Sequence, residues 1–236
     1  MKKRRTERNR DRTEQRVRSE KPGLTVAALC AEAAVFAGRE SKHPDPSLYG
    51  VTDGKAIGTY FEHKFREHLE ERYVWELGSS AKGIDFPSID VDLKVTSIKQ
   101  PQSSCPFRSA RQKVFGLGYS LLVFVYDKKD DPKTATGLLN VLHTIFVEKN
   151  RTGDYQITTG IRKILENHGN EDDLVAFMVE KHLPLDDIEA NNIAEALMKK
   201  PPEVGYLTVS NALQWRLQYK RVIQQAGLVN GIVRVR

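Results

Sequence analysis

The chain has 236 residues, 39% of them hydrophobic, enough for one well-packed domain or a core with an appended subdomain. Its formal net charge of +6 is uneven: residues 1–21 hold ten Lys/Arg against four Asp/Glu, and the remaining residues balance at 27 against 27. The body is therefore not a basic protein, and any phosphate-binding surface on it must come from local clustering.

The basic tail, 1–21, is poor in apolar residues and is expected to be disordered, either scanning nucleic acid or serving as a solubilising arm. It lacks the apolar stretch of a signal peptide, and no apolar run approaches the length of a membrane span. Two distant cysteines, Cys30 and Cys105, suit reduced thiols and an intracellular, cytoplasmic protein, and they supply no zinc ligand set.

In chain order, Leu24 to Gly38 reads as an Ala-rich helix, followed by a turn-rich linker ending at Gly54. From Lys55 onward Ile57, Phe61, Phe65, Leu69 and Tyr73 recur at near-helical spacing, which predicts a long amphipathic helix with Glu62 beside its apolar stripe. The stretch Gly83 to Ser97, GIDFPSIDVDLKVTS, then alternates apolar Ile89, Val91, Leu93 and Val95 with Asp90, Asp92, Lys94 and Thr96. Side chains alternate across a strand, so one face belongs to the core and the other stacks acids and an ammonium roughly 6 to 7 Å apart. Asp85 precedes this strand in a Gly83/Pro87 turn, from which its carboxylate can reach the end of the charged face near Asp92. Two such acids suit Mg2+, a hard cation that keeps several waters and takes few protein ligands. Asp90 shares the predicted face and is the substitute ligand.

Beyond this strand, Gln100 to Cys105 reads as a loop and Pro106 to Phe115 as a basic helix start whose Arg108, Arg111 and Lys113 are candidates for backbone phosphates. Tyr119 to Tyr126 is nearly all apolar and predicts a strand covered on both faces beside the motif strand. Leu138 to Glu148 predicts another strand. Residues 155–199 read as helices, two of them opened by acidic clusters at Glu171 to Asp173 and Asp186 to Glu189, where the helix dipole favours negative charge. Ser210 to Ala226 is expected to form a final helix whose Asn211, Gln214, Gln218, Arg221 and Gln225 share one amide-rich face, either reading major-groove base edges or simply solvated. No Walker A loop, GxGxxG fingerprint or Cys/His zinc spacing occurs.

Asp85, six intervening residues, Asp92, one residue and Lys94 reproduce the spacing of the PD-(D/E)xK nuclease superfamily, and DFPSIDVDLK resembles the DFPELGxELK stretch of MutH-like endonucleases and their restriction-enzyme relatives. Upstream, KAIGTYFE at Lys55 to Glu62 resembles the KGxxGxxLE segment that brings a further glutamate to the site in MutH-like enzymes. The resemblance covers roughly residues 50–130 and departs in two places: the second acid is Asp rather than Glu, and Glu62 and Asp85 are more widely separated. It implies an α/β restriction-endonuclease-like core, a central mixed β-sheet flanked by helices, with residues 22–236 forming one endonuclease domain. Its catalytic core would span about 50–150, and a helical and C-terminal DNA-contact region about 151–236. The implied activity is Mg2+-dependent, sequence-specific hydrolysis of double-stranded DNA by a type II restriction enzyme, with Asp85 and Asp92 as metal ligands and Lys94 and Glu62 completing the catalytic set. A MutH-like nicking enzyme and a catalytically inactive DNA-binding protein of the same fold are the alternatives, and a homodimer is left open.

Overall fold

The computed structural model describes residues 21–76, 83–104, 109–210 and 215–236. The expected basic tail therefore lies outside the described residues except for Lys21, whose ammonium donates to the Glu70 carbonyl at 2.7 Å. No described helix is long and apolar enough to cross a membrane.

Two long helices come first. Helix α1, Val26–Glu40, is capped by the Thr25 side chain, and α2, Gly54–Glu70, by Asp53, whose carboxylate accepts from the Lys55 and Ala56 amides. The anticipated stripe of α2 is real: Ile57, Phe61, Phe65 and Leu69 are buried. Tyr73 lies past its end. Strand β1, Val91–Ser97, is followed by the short β2, Gln102–Ser104, and by the five-residue helix α3, Arg111–Phe115. Strands β3, Ser120–Asp131, and β4, Thr136–Val147, form a long antiparallel hairpin. Its register shifts beside Val125, leaving Leu142 unpaired in a bulge and partly exposed.

Helices α4 (Tyr155–Glu166), α5 (Glu171–Glu180) and α6 (Asp187–Lys199) occupy the region expected to be helical. The acidic clusters open α5 and α6, as helix-start electrostatics requires. The chain ends with β5 (Thr208–Val209), β6 (Arg216–Gln218), helix α7 (Lys220–Gln225) and β7 (Ile232–Arg234).

The main sheet has the order β1-β3-β4-β7, with β1 parallel to β3 and the other pairs antiparallel, so it is the expected mixed sheet. β3 is internal beside the motif strand, and Leu121 to Val125 have no exposure, as its unbroken apolar sequence requires. Leu122 and Phe124 pack towards α1 and α2, while Leu121, Val123 and Val125 pack towards Leu207, Leu217, Tyr219 and Val222. A third core joins α3 to α6 through Val114, Ile161, Leu174, Met178 and Ile193.

The expected final helix over 210–226 does not form. Arg216–Gln218 is instead the middle strand of a three-stranded sheet of order β2-β6-β5, and among the described residues of that range only Lys220–Gln225 is helical. Leu217 and Tyr219 are fully buried at a spacing of two, which is the strand period. Burial of that alternating pair outweighed the polar residues at helical intervals.

The linker before α2 is held by Asp45, whose carboxylate accepts from the Ser47 amide (2.9 Å), Tyr60 OH (2.8 Å) and Lys64 Nζ (3.0 Å). The Ser47 hydrogen bonds, with those of Tyr60 and Lys64, outweigh burial and hold this carboxyl well below its ordinary range. A carboxylate depressed in the fold stabilises above its unfolded pKa, and that contribution is lost as pH falls through the folded value. Asp45→Asn is therefore expected to destabilise the protein by about 1.5 to 3 kcal/mol at neutral pH, the scale of charged hydrogen bonds. In denaturant titrations the gap to wild type should close as the solution is acidified below about pH 4.

Candidate active site

The motif residues meet because the chain folds back on itself between them. Phe86 and Val91 form an antiparallel bridge, the Phe86 amide donating to the Val91 carbonyl at 2.9 Å and the Val91 amide donating back at 3.2 Å. The turn between them is a single 3-10 turn, Pro87–Ile89, closed by Asp90 in the left-handed region at φ 52°. Asp tolerates that conformation better than most residues. One step outside the bridge, Asp85 stands across from Asp92, which is what six intervening residues achieve in a turn of this size. The same turn corrects two expectations: β1 begins at Val91, not Ile89, and Asp90 is an exposed turn residue outside the strand.

Asp85 is fixed at both oxygens. Its Oδ2 accepts the Leu93 amide at 2.9 Å, and its Oδ1 is ion-paired to Arg66 of α2. A carboxylate has about four lone-pair sites, so two remain for another ligand. Asp92 is nearly inaccessible, its side chain 3% exposed, and its Oδ2 lies 2.7 Å from Lys94 Nζ. Burial pushes the Asp92 carboxyl up, Lys94 opposes the shift, and Asp85 adds to it. For Lys94 burial alone would favour the neutral amine, but attraction to Asp92, with Asp85 and Glu62, wins and keeps it an ammonium. Glu62 is half-buried on α2 and also raised, by burial first and then by repulsion from Asp85.

Glu62, Asp85, Asp92 and Lys94 thus form one electrostatically connected group, three acids facing one lysine. Arg66 joins them. Its guanidinium is ion-paired to Asp85 rather than to Glu62 on its own helix. The available signal was its place one turn beyond Glu62 on the same side of α2. The position of α2 does not depend on that ion pair. Arg66 is about one-third exposed, and such pairs contribute roughly 0 to 1 kcal/mol, whereas each buried Phe of α2 contributes roughly 1.5 to 3 kcal/mol. Phe61 and Phe65 pack on Phe124 of β3 with ring centroids 4.8 and 5.3 Å away, and so fix the face that presents Glu62 and Arg66.

The donor set suits a small hard cation. Among the described residues no three His, Cys, Asp or Glu side chains cluster closely enough to enclose a metal alone. Two facing carboxylates, one of them buried against Lys94, match a cation that retains much of its water.

The expected DNA-contact residues fare differently. Arg111 opens α3, is exposed, and has its guanidinium 5.0 Å from the Phe115 ring centre. Lys113 is buried, its ammonium 4.7 Å from the Trp215 ring centre and its pKa lowered by that burial, so it is not an open phosphate contact. Gln218 is exposed on β6, whereas Arg221 on α7 lies over the Tyr155 ring at 3.8 Å and donates to Thr208. These two share no helical face. Arg108, Asn211 and Gln214 fall outside the described residues.

Residues 23–234 match the family profile described as type II restriction enzyme NspV. The chain belongs to this restriction-enzyme family. A curated relative, the type II restriction enzyme NspV of a Nostoc species, is 62% identical over 212 residues, covering 90% of this chain and 96% of its own. No solved structure matches. The family match runs across both sheets and all the helices described above, well beyond the third of the chain that resembles MutH-like enzymes.

Proposed function

We propose that the protein is a sequence-specific, Mg2+-dependent endonuclease that cuts double-stranded DNA inside the cell, with Asp85, Asp92, Lys94 and Glu62 as its catalytic group. The observation that carries the residue assignment is the antiparallel bridge Phe86 to Val91, which sets two carboxylates face to face with a lysine two residues further on. Membership of a type II restriction-enzyme family supports the reaction, and the close approach of two acids and a lysine supports these residues as its site.

Mg2+ held by Asp85 and Asp92 would neutralise charge on the scissile phosphate and acidify water for attack. Lys94 is kept protonated by its acidic neighbours, so it acts as a donor and positive charge, orienting the attacking water and stabilising the extra negative charge on the pentacovalent phosphorus. Glu62 borders the same space with a raised carboxyl and can take up a proton from that water. Arg66 positions Asp85 through one oxygen while the Leu93 amide holds the other. Exposed Arg111 serves as a backbone-phosphate contact.

Arg66→Ala should therefore slow cleavage by roughly 10- to 100-fold, the usual cost of losing a residue that orients a metal ligand, and raise the Mg2+ concentration needed for half-maximal rate. An Arg66→Lys protein should recover part of both. The reading as a whole is tested by incubating purified protein with a mixed-sequence plasmid and Mg2+. Discrete linear fragments are expected; nicked circles alone would point to a strand-nicking enzyme, and intact plasmid would overturn the proposal.

A further inference from the structure

The small sheet β2-β6-β5 has two unlike faces. Ser103, Leu217 and Val209 are paired across it in register, and they turn inward: Leu217 and Val209 are buried, and Ser103 Oγ lies 2.5 Å from the hydroxyl of buried Tyr219. Alternation sends their neighbours to the opposite face. There Gln102, Gln218 and Thr208 form one cross-strand row, and Ser104 and Arg216 form the next. Gln218 and Ser104 are exposed, and the others are half-exposed. The side chains of Gln102, Gln218 and Arg216 make no hydrogen bond or ion pair to any described residue.

This face continues the catalytic strand. Thr96 follows Lys94 by two residues on β1, hence on the same face, and its hydroxyl accepts the Gln102 amide at 2.9 Å and lies 3.0 Å from the Gln102 carbonyl. The Ile98 amide donates to the Tyr126 carbonyl at 2.8 Å, which pins the connection to β3. Gln102 therefore begins the small sheet roughly 6 to 7 Å, one strand repeat, beyond Lys94, plus one hydrogen bond. A phosphate at Asp92 and Lys94 would bring an adjoining groove, roughly 12 Å wide, to this height. A two-stranded β-ribbon such as β2-β6 fits that groove, and amide and guanidinium groups pair with base edges there, Gln with adenine and Arg with guanine.

We propose that the outer face of the small sheet is the base-reading surface, with Gln218 and Gln102 reading one or two A·T pairs and Arg216 a G·C pair in the major groove. The inference rests on the endonuclease reading above. It replaces the helical face expected from the sequence with a sheet face that includes Gln102 and Arg216, which that expectation omitted.

The test is cleavage of a duplex library randomised around the wild-type site, which is first defined by sequencing the ends that wild-type protein leaves. Gln218→Ala and Arg216→Ala should each lose discrimination at one base pair by roughly 5- to 160-fold, the equivalent of about 1 to 3 kcal/mol for a bidentate contact, while other positions keep theirs. Gln102→Ala, on a different strand, gives a third and independent reading should one variant fold poorly. Uniform slowing on every duplex, unchanged base preferences in all three variants, or a changed oligomeric state with preferences intact would each overturn the proposal, the last showing that the face binds a second copy of the chain. Failure of wild-type protein to cut the library would instead sink the endonuclease reading on which it stands.

Discussion

Asp92→Asn is expected to lose cleavage by at least on the order of 10³, above the range of roughly 10² to 10³ seen when one electrostatic stabiliser is removed. The substitution keeps the volume and removes the charge that faces Asp85 and Lys94, so both the metal site and the lysine lose a partner together. Asp85→Asn should behave alike. Folding should not follow activity. Burial raises the Asp92 carboxyl, so the folded state binds a proton more tightly than the unfolded chain, and stability from this group falls as pH rises through the raised value. The amide has no such cost, and Lys94 keeps Asp85 and Glu62 as neighbours. The thermal midpoint of Asp92→Asn at pH 8 should therefore stay level or rise while cleavage vanishes. Single-turnover rates beside melting curves check both parts, and wild-type cleavage by the variant would remove Asp92 from the site.

Lys94→Ala is the second large effect, a loss of at least on the order of 10² in single-turnover rate with DNA affinity changed far less. The distinction follows from geometry. Lys94 is largely buried against Asp92, so in the proposed site it would meet one phosphate at the reacting position rather than the backbone in general. Its ammonium is maintained by three acids, so the loss should not be recovered by raising pH. Recovery at high pH would identify Lys94 as a base instead of a charge stabiliser.

That Asp85, Asp92 and Lys94 come together was legible in the sequence because the geometry is local. Asp85, Asp92 and Lys94 lie within ten residues, the strand period orients the last two, and Phe86 to Val91 is one turn closed by its own backbone. The internal position of β3 was equally legible, since an unbroken apolar run allows no wet face. What the sequence hid was set by distant partners. Lys113 looked like a free cation beside Arg111, but Trp215, more than one hundred residues away, sits against it. The Arg66 partner was equally hidden, since Asp85 can claim its guanidinium only after the chain has turned back. At the C-terminal end two periods competed: Gln218 and Arg221 at helical spacing, and Leu217 and Tyr219 at strand spacing. The apolar pair prevailed because a core for it existed under β3, Leu121 and Val123 packing in the same cluster.

The central claim is that the turn from Asp85 to Asp92 holds a divalent cation for DNA hydrolysis. Its most direct test is titration of wild-type, Asp85→Asn and Asp92→Asn proteins with Mn2+ as a paramagnetic probe, in the presence of a short duplex that resists cleavage. Free Mn2+ is followed by its electron paramagnetic resonance signal. Wild-type protein should remove Mn2+ from solution in a saturable step that Mg2+ competes away, and each Asn variant should lose that step. An unchanged binding step in both variants would contradict the account.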